Sequence, residues 1–558
     1  MGIRSTIGGY LRTRLSECGI DAAFGVPGDF NLVLLERLLE NDDLCWVGNC
    51  NELNAAYAAD GYARMKGAAA LVITYGVGDL SALNGIAGAF AEHVPVICIS
   101  GVPPLHAIRQ RMMLHHTSGA GNIEDVMGCM AQFTAAQARI TPANAAREID
   151  RLLETAMREK RPVYLQVPCD IVNLEIEAPS APLNLAPLQS DRKQLERAVG
   201  AVAERLENAR RPAILIDGDA HRFGLRPLIC ELGQTLGVPF AALASGRTIF
   251  DEQHPLYRGI YAGVASTGQA AETVEQSDCL LAIGVRFFDI TTGLHTHNID
   301  DENLVAIDPF SVSVDGKTFE GVGAADVLRE LNLHFGSKGK STAAAEVAMQ
   351  APLSIAEPQA SLSYESLWQQ LERFLEPGDV VIAESGTSSA SIGGIRLPAG
   401  SAFIHQTLWA SIGYALPAML GSMLAQPARR HVLFIGDGSV QMTAQELSTM
   451  FRCGLKPVIF VINNAGYTIE RAIYGREAVY NDIQSWDYRA LPEVFRDGSP
   501  LLTVRAATQS ELQVALEAAQ RADRFTLIEV MLEKTDMPKG MVNFGKRVAE
   551  FNFGGGEQ

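Results

Sequence analysis

Short apolar runs rich in β-branched residues alternate along the chain with longer alanine- and leucine-rich stretches of helical character. This is the pattern of parallel sheets covered by helices. In the first third, Ala68–Thr74, Val94–Ser100 and Pro162–Val167 are predicted as buried strands, with Pro27, Gly28, Gly76 and Gly101 punctuating carboxyl ends. A second group comprises Pro212–Asp217, Cys279–Gly284 and Leu304–Asp308; a third comprises Asp379–Glu384, His431–Gly436, Pro457–Ile462 and Phe525–Val530. The proline-rich stretch Ala178–Pro187 reads as a linker, and the polar, alanine-rich stretch from Gly336 to about Ser361 as a second boundary. The expected architecture is α/β, with three doubly wound parallel-sheet domains at 1–180, 190–340 and 360–558. No short-period repeat of the solenoid kind is present.

Composition narrows the function. At 558 residues the chain exceeds one ordinary core, and 47% hydrophobic with 20% charged residues describes a packed globular protein. A formal net charge of −18 disfavours nucleic acid as a partner. No apolar run reaches the ~18 residues a membrane span requires, and the amino terminus lacks a secretory pattern. Met1–Thr6 fits the short acylation pattern but is read as an ordinary start. The nine cysteines lack a CxxC pair and read as reduced core residues, so a cytoplasmic location is expected.

The most informative stretch is Gly436-Asp437-Gly438-Ser439 after one predicted strand, with Asn463-Asn464 at the end of the next. Adjacent strand ends of a parallel sheet meet at the carboxyl edge, where open α/β sheets bind ligands. Asp437, Asn464 and the carbonyl of Gly466 offer hard oxygen donors that suit magnesium rather than zinc. Gly436 and Gly438 leave room for a diphosphate at the backbone, and a helix starting near Ser439 would aim amides at it. Singly, each motif is more often a tight turn or a helix entry; the strand–turn–helix context on both sides favours a diphosphate–metal cradle.

With these residues in place, the chain resembles the pyruvate/indolepyruvate decarboxylase family of thiamine diphosphate enzymes. Gly25–Asn31, Gly48–Arg64 and the pair His115-His116 follow the same pattern. The resemblance implies thiamine diphosphate and Mg2+ as cofactors and non-oxidative conversion of a 2-oxo acid to aldehyde and carbon dioxide. It places Glu52 against the aminopyrimidine ring as a proton shuttle, and Asp29, His115, His116 and Glu470 as acid–base residues. It places Thr387 and Ser388, within Glu384–Ser388, along the pyrimidine, Ile412 beneath the bent cofactor, and Gly466, Tyr467 and Thr468 in the metal loop. Taken alone, Glu52 would be an exposed helix-starting glutamate, Asp29 a turn residue, the histidines a solvated loop feature and Ile412 core packing.

Ser389 and Ala390 stand where relatives narrow for pyruvate carry bulky aromatic side chains. With Ile290, Ile469, Ile473, Met541 and Phe544, they imply a roomy apolar pocket favouring branched-chain or aromatic 2-oxo acids. Asp217-Gly-Asp219 stands where activatable relatives carry a cysteine, so activation through a thiol is not expected. Family architecture implies an active site shared between chains, a homodimer at minimum and a homotetramer by resemblance. Three rivals remain: a pyruvate decarboxylase proper, a carboligase such as an acetolactate synthase, and a silent scaffolding paralogue. His115, His116 and Glu470 argue against the second; Glu52, Asp437 and Asn464 argue against the third.

Overall fold

The computed structural model describes residues 2–119, 121–336, 359–521 and 523–554. Most of the predicted second boundary, residues 337–358, lies outside the described residues. Three large sheets organise the chain. The first runs, edge to edge, Cys45–Gly48, Ala22–Gly25, Ala69–Thr74, Val96–Val102, Val163–Pro168 and Ala136–Arg139, all parallel. The last runs Ala402–Ile404, Val380–Ala383, His431–Gly436, Val458–Asn463, Phe525–Met531 and Leu501–Ala506, also all parallel. Numbered within each sheet, both orders read 2-1-3-4-6-5. The reversal of direction beside the first strand opens a crevice at the carboxyl edge of each.

The middle sheet departs from the expected pattern. Five strands, from Tyr257–Ile260 to Leu304–Asp308, are parallel, but Ser311–Val314 and Lys317–Glu320 add an antiparallel hairpin at the edge. The expected linker also begins later: Glu175–Pro179 is a strand paired antiparallel with Gly2–Thr6. Its alternating burial was masked in the sequence by the prolines just beyond it. Gly101 lies inside its strand rather than beyond it, where a side chain would run into the Phe30 carbonyl. The cysteines correct another expectation. Only Cys18, Cys98 and Cys279 are buried, whereas Cys45, Cys50 and Cys129 are exposed; all nine are unpaired.

The helix Glu52–Lys66 ties the first and last units together. Asn51 caps it by accepting the Asn54 amide at 2.8 Å, Glu52 occupies the first turn, and Gly67 ends it at φ +109°. Ten consecutive residues, Asn54–Ala63, are buried, so the helix has no solvent face. Its partner is the helix Ala415–Ala425. At Gly61 a side chain would collide with the Ala418 carbonyl, and at Gly421 with the Ala58 carbonyl. One apolar core runs from the first sheet through this pair into the last. The middle unit docks through Arg247, fully buried, which pairs with Glu252 at 2.7 Å and donates to the carbonyls of Ile392 and Ile395. Among the described residues no helix is long and apolar enough to cross a membrane.

Candidate active site

The crevice of the last sheet gathers the expected cradle. Strand His431–Gly436 ends at Gly436, and a helix begins at Asp437, two residues ahead of the expected start near Ser439. Asp437 is buried; its Oδ1 accepts the Gly438 amide at 2.8 Å and its Oδ2 the Gly466 amide at 3.1 Å. Burial pushes its carboxyl up to about 6, against the pull of those amides. No lysine or arginine pairs with it among the described residues. Asn464 is also buried: its Nδ2 donates to the Tyr364 hydroxyl at 2.9 Å, while its Oδ1 has no partner. An unneutralised carboxylate beside an orphaned amide oxygen is a donor set that a small divalent cation would satisfy. Magnesium therefore fits these residues.

Around the cradle, Tyr467 covers Gly438, where a methyl group would lie 2.5 Å from its ring. Thr468 is buried at the start of helix Thr468–Ile473. The sequence reading overlooked Arg471. Fully buried, it donates to the carbonyls of Asn464, Ala465 and Asn481 at 3.2, 2.7 and 3.1 Å and pairs with Asp482 at 2.9 Å, fixing the loop that carries Gly466. An arginine one residue after Glu470 was the available signal, but its targets are backbone oxygens that sequence spacing does not disclose.

At the neighbouring strand end, Gly386 (φ +114°) precedes the helix Thr387–Ile392. Thr387 is buried, as is Ser388, whose hydroxyl has no partner. Ser389 turns its hydroxyl back to the Gly386 carbonyl at 3.1 Å, and Ala390 is exposed. Ile469 lies against Gly386, 3.9 Å from where a methyl group would stand. Ile412 is half-buried in the turn leading to helix Ala415–Ala425.

Glu470 and Ile473 line a cleft of about 430 Å³ together with Tyr467, Tyr474, Tyr480, Asn481, Asn552 and Phe553. Of the seven expected pocket residues only Ile473 is in that lining; Ser389, Ala390, Ile469, Met541, Phe544 and Ile290 lie outside it. Met541 is buried, Phe544 half-buried and Ile290 partly exposed on a loop of the middle unit. Gly545 seats the carboxyl-terminal helix on the Ala472 backbone, so its far end, Asn552 and Phe553, reaches the cleft instead.

The first sheet brings together the other predicted group. His115 Nε2 stands 3.0 Å from Asp29 Oδ2, stacks on Phe30 at 5.0 Å, and meets His116 edge-on at 4.5 Å. The donor atoms of Asp29, His115 and His116 all lie within 4.8 Å of one another. His116 adopts φ +61°, and its Nδ1 is buried without a partner. Its carbonyl packs on Gly76, while Glu52 Oε1 stands 3.3 Å from where a methyl group on Gly78 would lie. Beneath them Asp79, fully buried, accepts the Gly76 amide at 2.9 Å; burial, reinforced by Glu52, pushes its carboxyl up to about 7. In the single chain the Asp29 and His115 side chains are 52% and 55% exposed.

Within one chain the two groups stay apart. Among the described residues, no hydrogen bond or ion pair joins Glu52, Asp29, His115 or His116 to Asp437, Asn464 or Glu470. The units meet instead at Glu446, whose carboxylate accepts from Asn49 and Asn54 at 2.8 and 2.9 Å.

Three family models match the chain: the thiamine pyrophosphate enzyme N-terminal TPP binding domain over residues 5–121, the central domain over 199–330, and the C-terminal TPP binding domain over 385–530. Among curated relatives, pyruvate decarboxylase isozyme 1 of Saccharomyces cerevisiae is 39% identical over 557 residues, covering 98% of this chain and 99% of the relative. An alpha-keto-acid decarboxylase of Mycolicibacterium paratuberculosis is 41% identical over 540 residues, covering 96% and 95%. A pyruvate decarboxylase of Candida glabrata is 38% identical over 557 residues, covering 98% and 99%.

Proposed function

Since the chain belongs to the thiamine pyrophosphate enzymes, as a decarboxylase of 2-oxo acids, we propose that it prefers branched-chain and aromatic 2-oxo acids to pyruvate. The observation that carries this preference is the cleft beside Glu470, about 430 Å³ and walled by Ile473, Tyr474 and Phe553. At the neighbouring strand end, the helix Thr387–Ile392 carries only small side chains at Ser389 and Ala390. Each methylene admitted by an apolar site is worth about 1–3 kcal/mol, so selectivity is broad rather than absolute.

Bound thiamine diphosphate supplies a carbon nucleophile and accepts the electron pair left behind by carbon dioxide. The chain's own residues hold and move the protons. Asp437, Asn464 and the Gly466 carbonyl would hold Mg2+, with Gly436, Gly438 and Ser439 giving the diphosphate access to backbone amides. Thr387, Ser388, Ile412, Tyr467 and Thr468 would hold the organic part. Glu52 would hold the proton that the aminopyrimidine nitrogen shares. The Asp29–His115 pair, with His116, stands ready to exchange protons with the substrate, and Glu470 presents a second carboxyl from the cleft wall.

The half-exposed first-unit group, and the exposed Val77, Leu80 and Met113 beside it, support a site completed by a second copy of the chain. A homodimer is then the working unit, and a homotetramer its assembly. The nine unpaired cysteines support residence in the cytoplasm. Comparing kcat/KM for pyruvate, 2-oxoisovalerate, phenylpyruvate and indolepyruvate tests the preference. A ratio favouring pyruvate overturns it, and a 2-hydroxy ketone as main product would return the chain to the carboligases.

A further inference from the structure

Glu384 ends the strand Val380–Ala383 and is buried, 1% exposed, with no cationic side chain against it among the described residues. Its Oε1 accepts the Ser385 amide at 3.0 Å. Its Oε2 accepts two amides from a distant segment, Gly413 and Ala415, each at 3.1 Å. Ala415 opens the helix Ala415–Ala425, and the amides of a helix's first turn have no partner inside the helix. A carboxylate from another strand therefore caps this helix from outside, where the helix dipole favours negative charge.

The same turn is held from every other side. Ser411 donates its amide to Gln406 Oε1 at 2.9 Å and shares its hydroxyl with Tyr57 at 2.6 Å. The Gly413 carbonyl accepts from Thr443 at 2.9 Å, and Gly413 sits at φ +87° with Met442 and Thr443 crowding its face. Ile412 is the residue left between these anchors. Burial leaves the Glu384 carboxyl pushed up to about 7, a cost its three amide donors only partly offset, so the group is expensive to keep as mere filling.

We propose that Glu384 is a positioning residue: by clamping the Gly413 and Ala415 amides, which follow Ile412, to the end of strand Val380–Ala383, it fixes the turn that carries Ile412 and thereby the shape of the bound cofactor. This rests on the reading that Ile412 supports thiamine diphosphate. The strand end and the turn are 28 positions apart in sequence, and the two bonds to Oε2 join Glu384 directly to the residues after Ile412.

Hydrogen exchange on the wild-type protein without cofactor is the first test, with the Gly413 and Ala415 amides expected to be protected like strand amides. Rapid exchange at both overturns the clamp, without any variant. In Glu384→Gln the same two amides should exchange roughly ten- to hundredfold faster, while those of Leu433 and Phe434 stay protected. Titration with thiamine diphosphate and Mg2+, followed by calorimetry, should show affinity reduced by a similar factor. In the loaded enzyme kcat should fall with KM for the 2-oxo acid unchanged, and Glu384→Asp, shorter but charged, should recover part of the loss. Wild-type exchange and affinity in Glu384→Gln overturn the proposal. Ile412→Ala separates the two readings: if it is defective while Glu384→Gln is not, only the clamp fails; if it binds and turns over like wild type, the reading of Ile412 fails first.

Discussion

The first and last sheets share one strand order, yet their carboxyl edges hold opposite kinds of side chain. The last sheet's edge is pre-built and closed: Asp437, Asn464 and Arg471 are buried and their backbone partners fixed. The first sheet's edge is open, with Asp29 and His115 half-exposed on a loop surface. A cofactor with a charged diphosphate needs a rigid, desolvated cradle, whereas proton exchange with a substrate needs groups that meet it on arrival. One fold thus supplies both, and the difference lies in the segments leaving the strand ends. Each edge also hides one lone carboxyl under its turn, Asp79 in the first and Glu384 in the last, both pushed up to about 7 by burial.

The comparison breaks hardest at Glu52. Glu52→Gln should lower kcat by about 10²–10⁴, the usual worth of a positioned proton-transfer group, while calorimetry shows thiamine diphosphate still bound. Asp437→Ala should do the reverse, abolishing retention of Mg2+ and cofactor. A loss of at least about a hundredfold in metal affinity is expected, because changes merely adjacent to a ligand cost about 10–100-fold. If both variants fail in the same way, the division of labour between the edges is wrong.

A smaller effect is expected at the helix Thr387–Ile392. Ala390→Phe should shift the ratio of kcat/KM for phenylpyruvate over that for pyruvate by about 10–200-fold towards pyruvate, measured by aldehyde release. Smallest is a pH effect on the protein without cofactor. The folded carboxyl of Asp79 titrates near 7, above the ~3.9 of an unfolded aspartate, so ionisation disfavours the folded state. Its contribution to stability is complete below about pH 4 and is lost as pH rises towards 7, at up to about 1.4 kcal/mol per pH unit. The Tm of Asp79→Asn should lack that slope; an unchanged slope would show that Asp79 is not its source.

The central strands were legible because they are buried on both faces and read as unbroken apolar runs, as Leu71–Ile73 and Val432–Ile435 do. The edge strands were not. Cys45–Gly48, Ala136–Arg139 and Leu501–Ala506 are short or mixed in character, and only their neighbours make them strands. The hairpin Ser311–Glu320 hid for the same reason. In the site, Asp437 and Asn464 could be paired from strand ends alone. Arg471 and Glu384 could not, since both act on backbone atoms brought near by packing rather than by any motif. The position of the carboxyl-terminal helix was missed because nothing before the fold reveals that Gly545 rests on Ala472.

The seam where Gly61 and Gly421 touch opposing backbone leaves no room for even one carbon atom. Evolution of new selectivity is therefore channelled away from it: a mutation there would wedge apart the helix that begins with Glu52 and the one that comes after Ile412 at the same stroke. Positions such as Ser389, Ala390, Ile469 and Ile473, carried on six-residue helices at the rim, are free to drift without disturbing that seam. A library built on those four should yield folded variants of altered appetite, whereas one built along the seam should yield mostly insoluble protein.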